Sequence, residues 1–246
     1  MSTKSIHSLG NFDFTLTVTH LVGFITVCLN GYFFNTFMNG IGWPNQEETS
    51  NQSSLGMKGK QLHGFLMFLG FIYFQGEALL AYRVYRYNPR SVTKTIHSVF
   101  HFLAFGSGVA ALVSMILFIS FMKSSHFSNI HSWLGICFLV VHTTQLFFGL
   151  GTFVFPCTPE SYRARLMPVH RAVGISCMVI SCIQCCLGYN QLVQKQLHCF
   201  KDLSCANRIE YVGALSMLFN ILYTLLVLAV VTPKPWRREK TVDELK

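Results

Sequence analysis

Charge is scarce in this sequence. Of its 246 residues only 12% are charged, and Asp and Glu together number 10. A soluble globular domain carries roughly 25% charged residues, so the deficit excludes an ordinary water-soluble domain. A cleavable leader is not expected either. Met1–Asp13 is polar, the apolar stretch after it is too long for a signal core, and no small-residue cleavage site follows. The first apolar span is therefore expected to be retained. Low-complexity tracts are absent, and no ordered basic–aromatic surface points to nucleic acid.

Apolar runs are abundant instead. Hydrophobic residues make up 51% of the chain. A window of about 19 residues finds six spans, at 14–38, 63–86, 96–122, 131–155, 169–192 and 209–231. Each is long enough to cross a hydrocarbon core of about 30 Å as a helix. With short connections they use nearly the whole chain. The expected fold is an all-α integral membrane protein of six transmembrane helices, with one domain over 1–246 and its core helices at about 63–192.

The basic residues set the expected orientation. With the N-terminus in the cytosol, thirteen of the 19 Lys and Arg residues fall inside. They include Arg83, Arg86, Arg90, Lys94, Arg163, Arg165 and Arg171, with the tail from Lys234 to Lys246. The C-terminus is then cytosolic too. The formal net charge of +9 reads as topology and as attraction to anionic membrane lipid. Two features of the outer loops agree. Asn51-Gln52-Ser53 is a glycosylation sequon, and Cys199 and Cys205 lie where an oxidising compartment could join them. The other cysteines read as small packing residues, and the Cys182, Cys185 and Cys186 group lacks further ligands nearby for a metal cluster.

Four histidines, His63, His97, His131 and His170, fall at or near the starts of the four middle spans. Histidine in lipid needs a partner and is a functional candidate by default. The alternation of helix direction puts His63 and His131 in the outer leaflet and His97 and His170 in the inner one. In a ring of helices 2 to 5, each pair faces across the interior, where bundles build cofactor sites. A hydrolytic zinc site wants three or four converging ligands. Two imidazoles per leaflet suit a six-coordinate haem iron, an electron carrier, and point to a four-helix bundle around two haems. His101, one turn beyond His97, is either an alternative ligand or a second-sphere partner. His142 lies about three turns after His131 on nearly the same face, at the depth of the inner pair. Glu77 reads chiefly as a hydrogen-bond partner of a neighbouring helix, and also as a candidate proton acceptor. His20 reads as structural.

Longer stretches then carry a resemblance. Gly76-Glu77-Ala78-Leu79-Leu80-Ala81-Tyr82-Arg83-Val84-Tyr85-Arg86, Lys94-Thr95-Ile96-His97, His131-Ser132-Trp133-Leu134-Gly135 and Leu166-Met167-Pro168-Val169-His170 together resemble the cytochrome b561 family. The match is good over residues 40 to 192 and loose in spans 1 and 6. It implies six helices and two haem b groups, the outer held by His63 and His131 and the inner by His97 and His170. It also implies His97 rather than His101 as ligand, and a cytosolic ascorbate site at Arg83, Lys94, Arg163 and Arg165, with Arg86 close by. Three positions depart from the family. Gly64 follows His63 where many members have proline, and the loop before His131 is short, with His126 a candidate for the outer substrate. His142 stands where a tyrosine is expected.

The activity implied is an ascorbate-dependent transmembrane oxidoreductase. Cytosolic ascorbate is the donor, and monodehydroascorbate or a ferric chelate is the outer acceptor, with Lys58, Lys60 and Lys123 available to attract an anion. The membrane is either an endomembrane vesicle or lysosome, or the plasma membrane. A homodimer is compatible with the chain. The rivals are a cytochrome b subunit that oxidises quinol or serves a protein partner, and a non-redox transporter or receptor with structural histidines.

Overall fold

The computed structural model describes residues 3–36, 40–45, 58–155, 158–196, 204–205 and 208–237. Six long helices run through them. They are α1 (Thr3–Thr36), α2 (Lys58–Val84), α3 (Arg90–Phe121), α4 (Ile130–Val154), α5 (Glu160–Gln196) and α6 (Ile209–Val231). All six contain a segment apolar and long enough to span a bilayer, which matches the six expected spans. The physical reason is that hydrocarbon offers no hydrogen-bond partners, so each span must satisfy its own backbone. The end where α1 begins and α6 finishes is called proximal below, and the opposite end distal.

Side-chain placement is that of a membrane protein. Thr19, Asn30, Gln61, Gln75, Ser114 and Asn220 are buried, whereas Phe14, Phe24, Val140 and Leu225 are exposed. Apolar residues outward and polar residues at helix contacts is the pattern expected where lipid replaces water.

α2 packs along α3, α4 along α5, and α1 along α6, which also touches α2 and α5. Small residues allow the closest approaches. A Cβ on Gly70 would lie 2.9 Å from the Ala104 carbonyl oxygen, so α2 and α3 meet backbone to backbone there. The buried Tyr223 ring of α6 fits between Gly23 of α1 and Gly76 of α2, where an added Cβ would come within 2.7 and 2.6 Å of it. The α1–α6 contact is pinned by polar bonds. Asn30 Nδ2 donates to Asn220 Oδ1 at 3.0 Å, and the Tyr189 hydroxyl of α5 reaches Asn30 Oδ1.

The helices start earlier than hydropathy predicts. α5 begins at Glu160 rather than 169, α2 at Lys58 rather than 63, and α1 at Thr3 rather than 14. The extra turns carry Lys58, Lys60, Glu160, Arg163 and Arg165, which an apolarity window rejects although they form good helix. His170 is therefore ten residues into its helix, not at its start. Pro168 also lies inside α5. Two π-helical turns interrupt the ring helices, Leu69–Phe74 in α2 and Leu150–Val154 at the end of α4. Such turns often mark functional sites, and each lies close to the histidines described next.

Candidate functional site

The four histidines meet in two pairs, each drawing one member from α2–α3 and one from α4–α5. His63 of α2 faces His131 of α4 with ring centroids 6.3 Å apart, and His97 of α3 faces His170 of α5 at 6.4 Å. Among the described residues no group of three or more His, Cys, Asp or Glu side chains is placed to hold a metal ion. The two sites thus offer two imidazoles apiece.

Backbone carbonyls orient two of the rings. His63 Nδ1 lies 3.0 Å from the Ala111 carbonyl oxygen and His97 Nδ1 lies 2.8 Å from that of Ala78. A carbonyl only accepts, so each Nδ1 carries the proton and each Nε2 keeps its lone pair free. The other two rings have glutamines beside them. Gln145 Nε2 sits 2.8 Å from His170 Nδ1 and donates to the His170 carbonyl oxygen at 2.6 Å. Gln184 Nε2 donates to the His131 carbonyl oxygen at 2.9 Å.

The proximal pair is enclosed by further rings. Phe153 lies 4.9 Å and Phe148 6.4 Å from His170, and Tyr82 lies 5.3 Å from His97. His101 packs 4.5 Å from His97 and faces His142 at 5.9 Å, and His142 in turn contacts Phe71 at 4.8 Å. His101 thus lies between His97 and His142. His142 is buried, and its Nε2 has no hydrogen-bond partner.

The structure separates the basic residues that the sequence groups together. Lys94 is half-buried on α3, and its Nζ donates to the Phe153 carbonyl oxygen at 2.7 Å. This satisfies one of the orphan carbonyls at the end of α4. Arg163 of α5 lies within electrostatic range of Lys94. Arg165, two residues on, points to the other side of the helix and is exposed. Arg83 is buried elsewhere. Its Nη2 donates to the carbonyl oxygens of Val231 and Pro233, closing the end of α6. Arg86 lies over the rings of Phe12 and Tyr87. At the distal end His126 is exposed in the α3–α4 loop beside Phe127, whose ring meets Trp133 at 5.5 Å. Asn129 caps α4 there by accepting from the Ser132 amide.

Glu77 lies outside the histidine pairs. The Tyr223 hydroxyl of α6 donates to its Oε1 at 3.0 Å, and His20 Nε2 of α1 is 3.5 Å from its Oε2. Its partners are therefore neighbouring helices. Cys205 is disulfide-bonded, whereas Cys182, Cys185 and Cys186 are free. Cys199 and the Asn51 sequon lie outside the described residues.

Gln145, Gln184, Phe153 and Tyr82 were not singled out by sequence reasoning. The two glutamines did leave a trace, since each is an amide in an apolar span and follows a histidine by the same 14 residues.

Comparison with known proteins identifies a family. The family described as eukaryotic cytochrome b561 matches residues 62–195, a stretch containing all four histidines. A transmembrane ascorbate-dependent reductase, CYB561, of Sus scrofa is 28% identical over 241 residues, covering 96% of this chain and 88% of the relative. The mouse protein of that name is 28% identical over 232 residues, covering 92% and 85%. A lysosomal membrane ascorbate-dependent ferrireductase, CYB561A3, of Danio rerio is 25% identical over 241 residues, covering 95% and 93%. The match spans more than half of the chain and takes in both histidine pairs, so the chain belongs to the eukaryotic cytochrome b561 family.

Proposed function

We propose that the protein is a transmembrane oxidoreductase that takes electrons from ascorbate at its proximal face and delivers them to an acceptor at its distal face. The observation that carries this reading is the pair of facing imidazoles at each of two levels. A metal–imidazole bond is about 2 Å long, and the ring centre lies about 1 Å further on. Two imidazoles on opposite sides of one iron therefore have centres about 6 Å apart. The separations of 6.3 and 6.4 Å fit that arrangement. His63 and His131 would hold the distal haem b, and His97 and His170 the proximal one. Bound there, haem would supply one-electron transfer chemistry.

The protein's own groups do the rest. Lys94 has three N–H donors and uses one on Phe153, leaving two for an anionic substrate. With Arg163 it forms the donor site we assign to ascorbate, whose oxygens accept charge-assisted hydrogen bonds. Phe153 links that site to the proximal pair, because its carbonyl holds Lys94 while its ring packs on His170. Arg165, on the other side of α5, adds only to the general positive charge of this face. Arg83 acts through helix packing away from that mouth, because its Nη2 is already bonded to the end of α6. At the distal face His126 is the side chain we assign to acceptor contact. The proximal face is cytosolic on the basic-residue rule, and the membrane is an endomembrane, such as that of the lysosome, or the plasma membrane.

Two measurements test the reading. A reduced-minus-oxidised spectrum of the purified protein should show b-type haem at two per chain, and its absence would end the redox reading. Vesicles loaded with ascorbate should then reduce external monodehydroascorbate or a ferric chelate. Rapid reduction by a quinol, with none by ascorbate, would move the assignment to a quinol-oxidising cytochrome b.

A further inference from the structure

We propose that Gln145 and Gln184 are positioning residues, each locking the ring of the histidine that faces it from the neighbouring helix, Gln145 for His170 and Gln184 for His131. The inference rests on the assignment of those histidines as haem ligands.

α4 and α5 carry the same pattern. Gln145 and Gly149 follow His131 by 14 and 18 residues, and Gln184 and Gly188 follow His170 by 14 and 18. These offsets are about four and five turns of helix, so all three residues share one face. The helices are consecutive and antiparallel, so the histidine of each lies level with the Gln–Gly pair of the other. The contacts confirm this reciprocity. Gln145 bonds the His170 backbone, and a Cβ on Gly149 would lie 3.2 Å from His170 Cε1. Gln184 bonds the His131 backbone, and a Cβ on Gly188 would lie 3.2 Å from His131 Cε1. The glycine makes room for the ring and the glutamine grips the residue that bears it.

The hydrogen-bond inventory says what the glutamine does for the ring. An imidazole that binds iron through Nε2 carries its proton on Nδ1, and that N–H needs an acceptor. His63 and His97 have carbonyl acceptors, while His131 and His170 have no carbonyl there. His131 Nδ1 is buried without a partner, and so is Gln184 Oε1. These are a donor and an acceptor on residues already joined by the Gln184–His131 bond. At the proximal site Gln145 Nε2 lies against both the carbonyl oxygen and Nδ1 of His170, and a half-turn of its amide would present Oε1 to the Nδ1–H in exchange for the bond to the carbonyl. Each site therefore has one histidine held by a backbone carbonyl and one by a glutamine. Only the second kind of holder can be changed by substitution, so the glutamines are where the chain can set the basicity of one ligand per site.

The test uses full-length protein in detergent, with haem content, the midpoint potential of each haem and low-temperature electron paramagnetic resonance as readouts. In Gln145→Glu, which keeps size and reach, the carboxylate is the stronger acceptor. Both haems should be retained and the potential of the proximal haem alone should fall. Gln184→Glu should lower only the distal one. In Gln145→Leu and Gln184→Leu the g-values of the corresponding haem should shift or that haem should be lost, with recovery in the Glu variant. Unchanged potentials and g-values in the Glu variants would overturn the proposal, as would a change at the wrong haem. Wild-type protein without haem would instead sink the ligand assignment beneath it.

Discussion

The proximal and distal histidine pairs share one geometry but differ in their surroundings. The proximal pair is backed by His101 and His142, enclosed by Phe148, Phe153 and Tyr82, and joined through Phe153 to Lys94. Among the described residues, the distal pair has fewer neighbours of this kind. His131 keeps an unpartnered Nδ1, and the nearby loop presents an exposed His126. On the proposed function, the contacts that run from the proximal pair through Phe153 to the half-buried Lys94 suit that site to one small anionic donor. On the proposed function, the exposure of His126 suits the distal face to contact with an external acceptor.

Substitutions can break this comparison in order of effect. The largest should come from the ligands. His170→Ala is expected to lose the proximal haem while much of the distal one remains, and His131→Ala the reverse. Haem content per chain and separate redox titration waves check this, and retention of both haems in either variant would contradict the pairing. Next comes Gly188→Leu, which pushes a side chain into the space occupied by His131. Overpacking of this kind costs about 1–3 kcal/mol, and reduced distal haem occupancy should report it.

Lys94→Ala should leave haem content intact and slow reduction by ascorbate. A hydrogen bond to a charged group contributes about 1.5–3 kcal/mol, so a rate loss of about tenfold or more in stopped flow is expected. An equal rate would mean that Lys94 serves only to cap α4. Tyr223→Phe removes the donor to Glu77, and about 1 kcal/mol of stability should be lost, with ascorbate reduction unchanged. Thermal unfolding in detergent reads it, and a change in reduction rate instead would give Glu77 a functional part. The smallest effect should be that of Arg165→Ala, because Arg165 is exposed and points away from Arg163. A loss as large as that of Lys94→Ala would move the donor site to its side of α5.

Much of this was legible in the residues. Six apolar spans marked six helices because a bilayer demands internally bonded segments of a certain length. The spacing of His63, His97, His131 and His170 marked the pairs because antiparallel neighbours reverse depth at every turn. Helix starts were less legible. Charged first turns at Lys58 and Glu160 are helical, yet hydropathy measures transfer into lipid rather than helicity. The division of the basic cluster was not legible at all. Arg83 and Lys94 are only eleven residues apart in sequence, but one closes the end of α6 and the other the end of α4. Which helix end each would meet depended on the lateral packing of spans that are distant in the chain.

By itself, then, the sequence determined the number of spans, the pairing of four histidines by depth, and the family. These follow from local quantities: hydropathy along each segment, helical rise and alternation of direction. The tertiary structure alone decided which groups surround those histidines. It set Gln145 against His170 and Gln184 against His131, Lys94 against Phe153, and Glu77 against Tyr223 and His20. Such contacts depend on how helices rotate about their axes and approach their neighbours. That is settled by small residues such as Gly23, Gly70, Gly76, Gly149 and Gly188, acting between helices rather than within them.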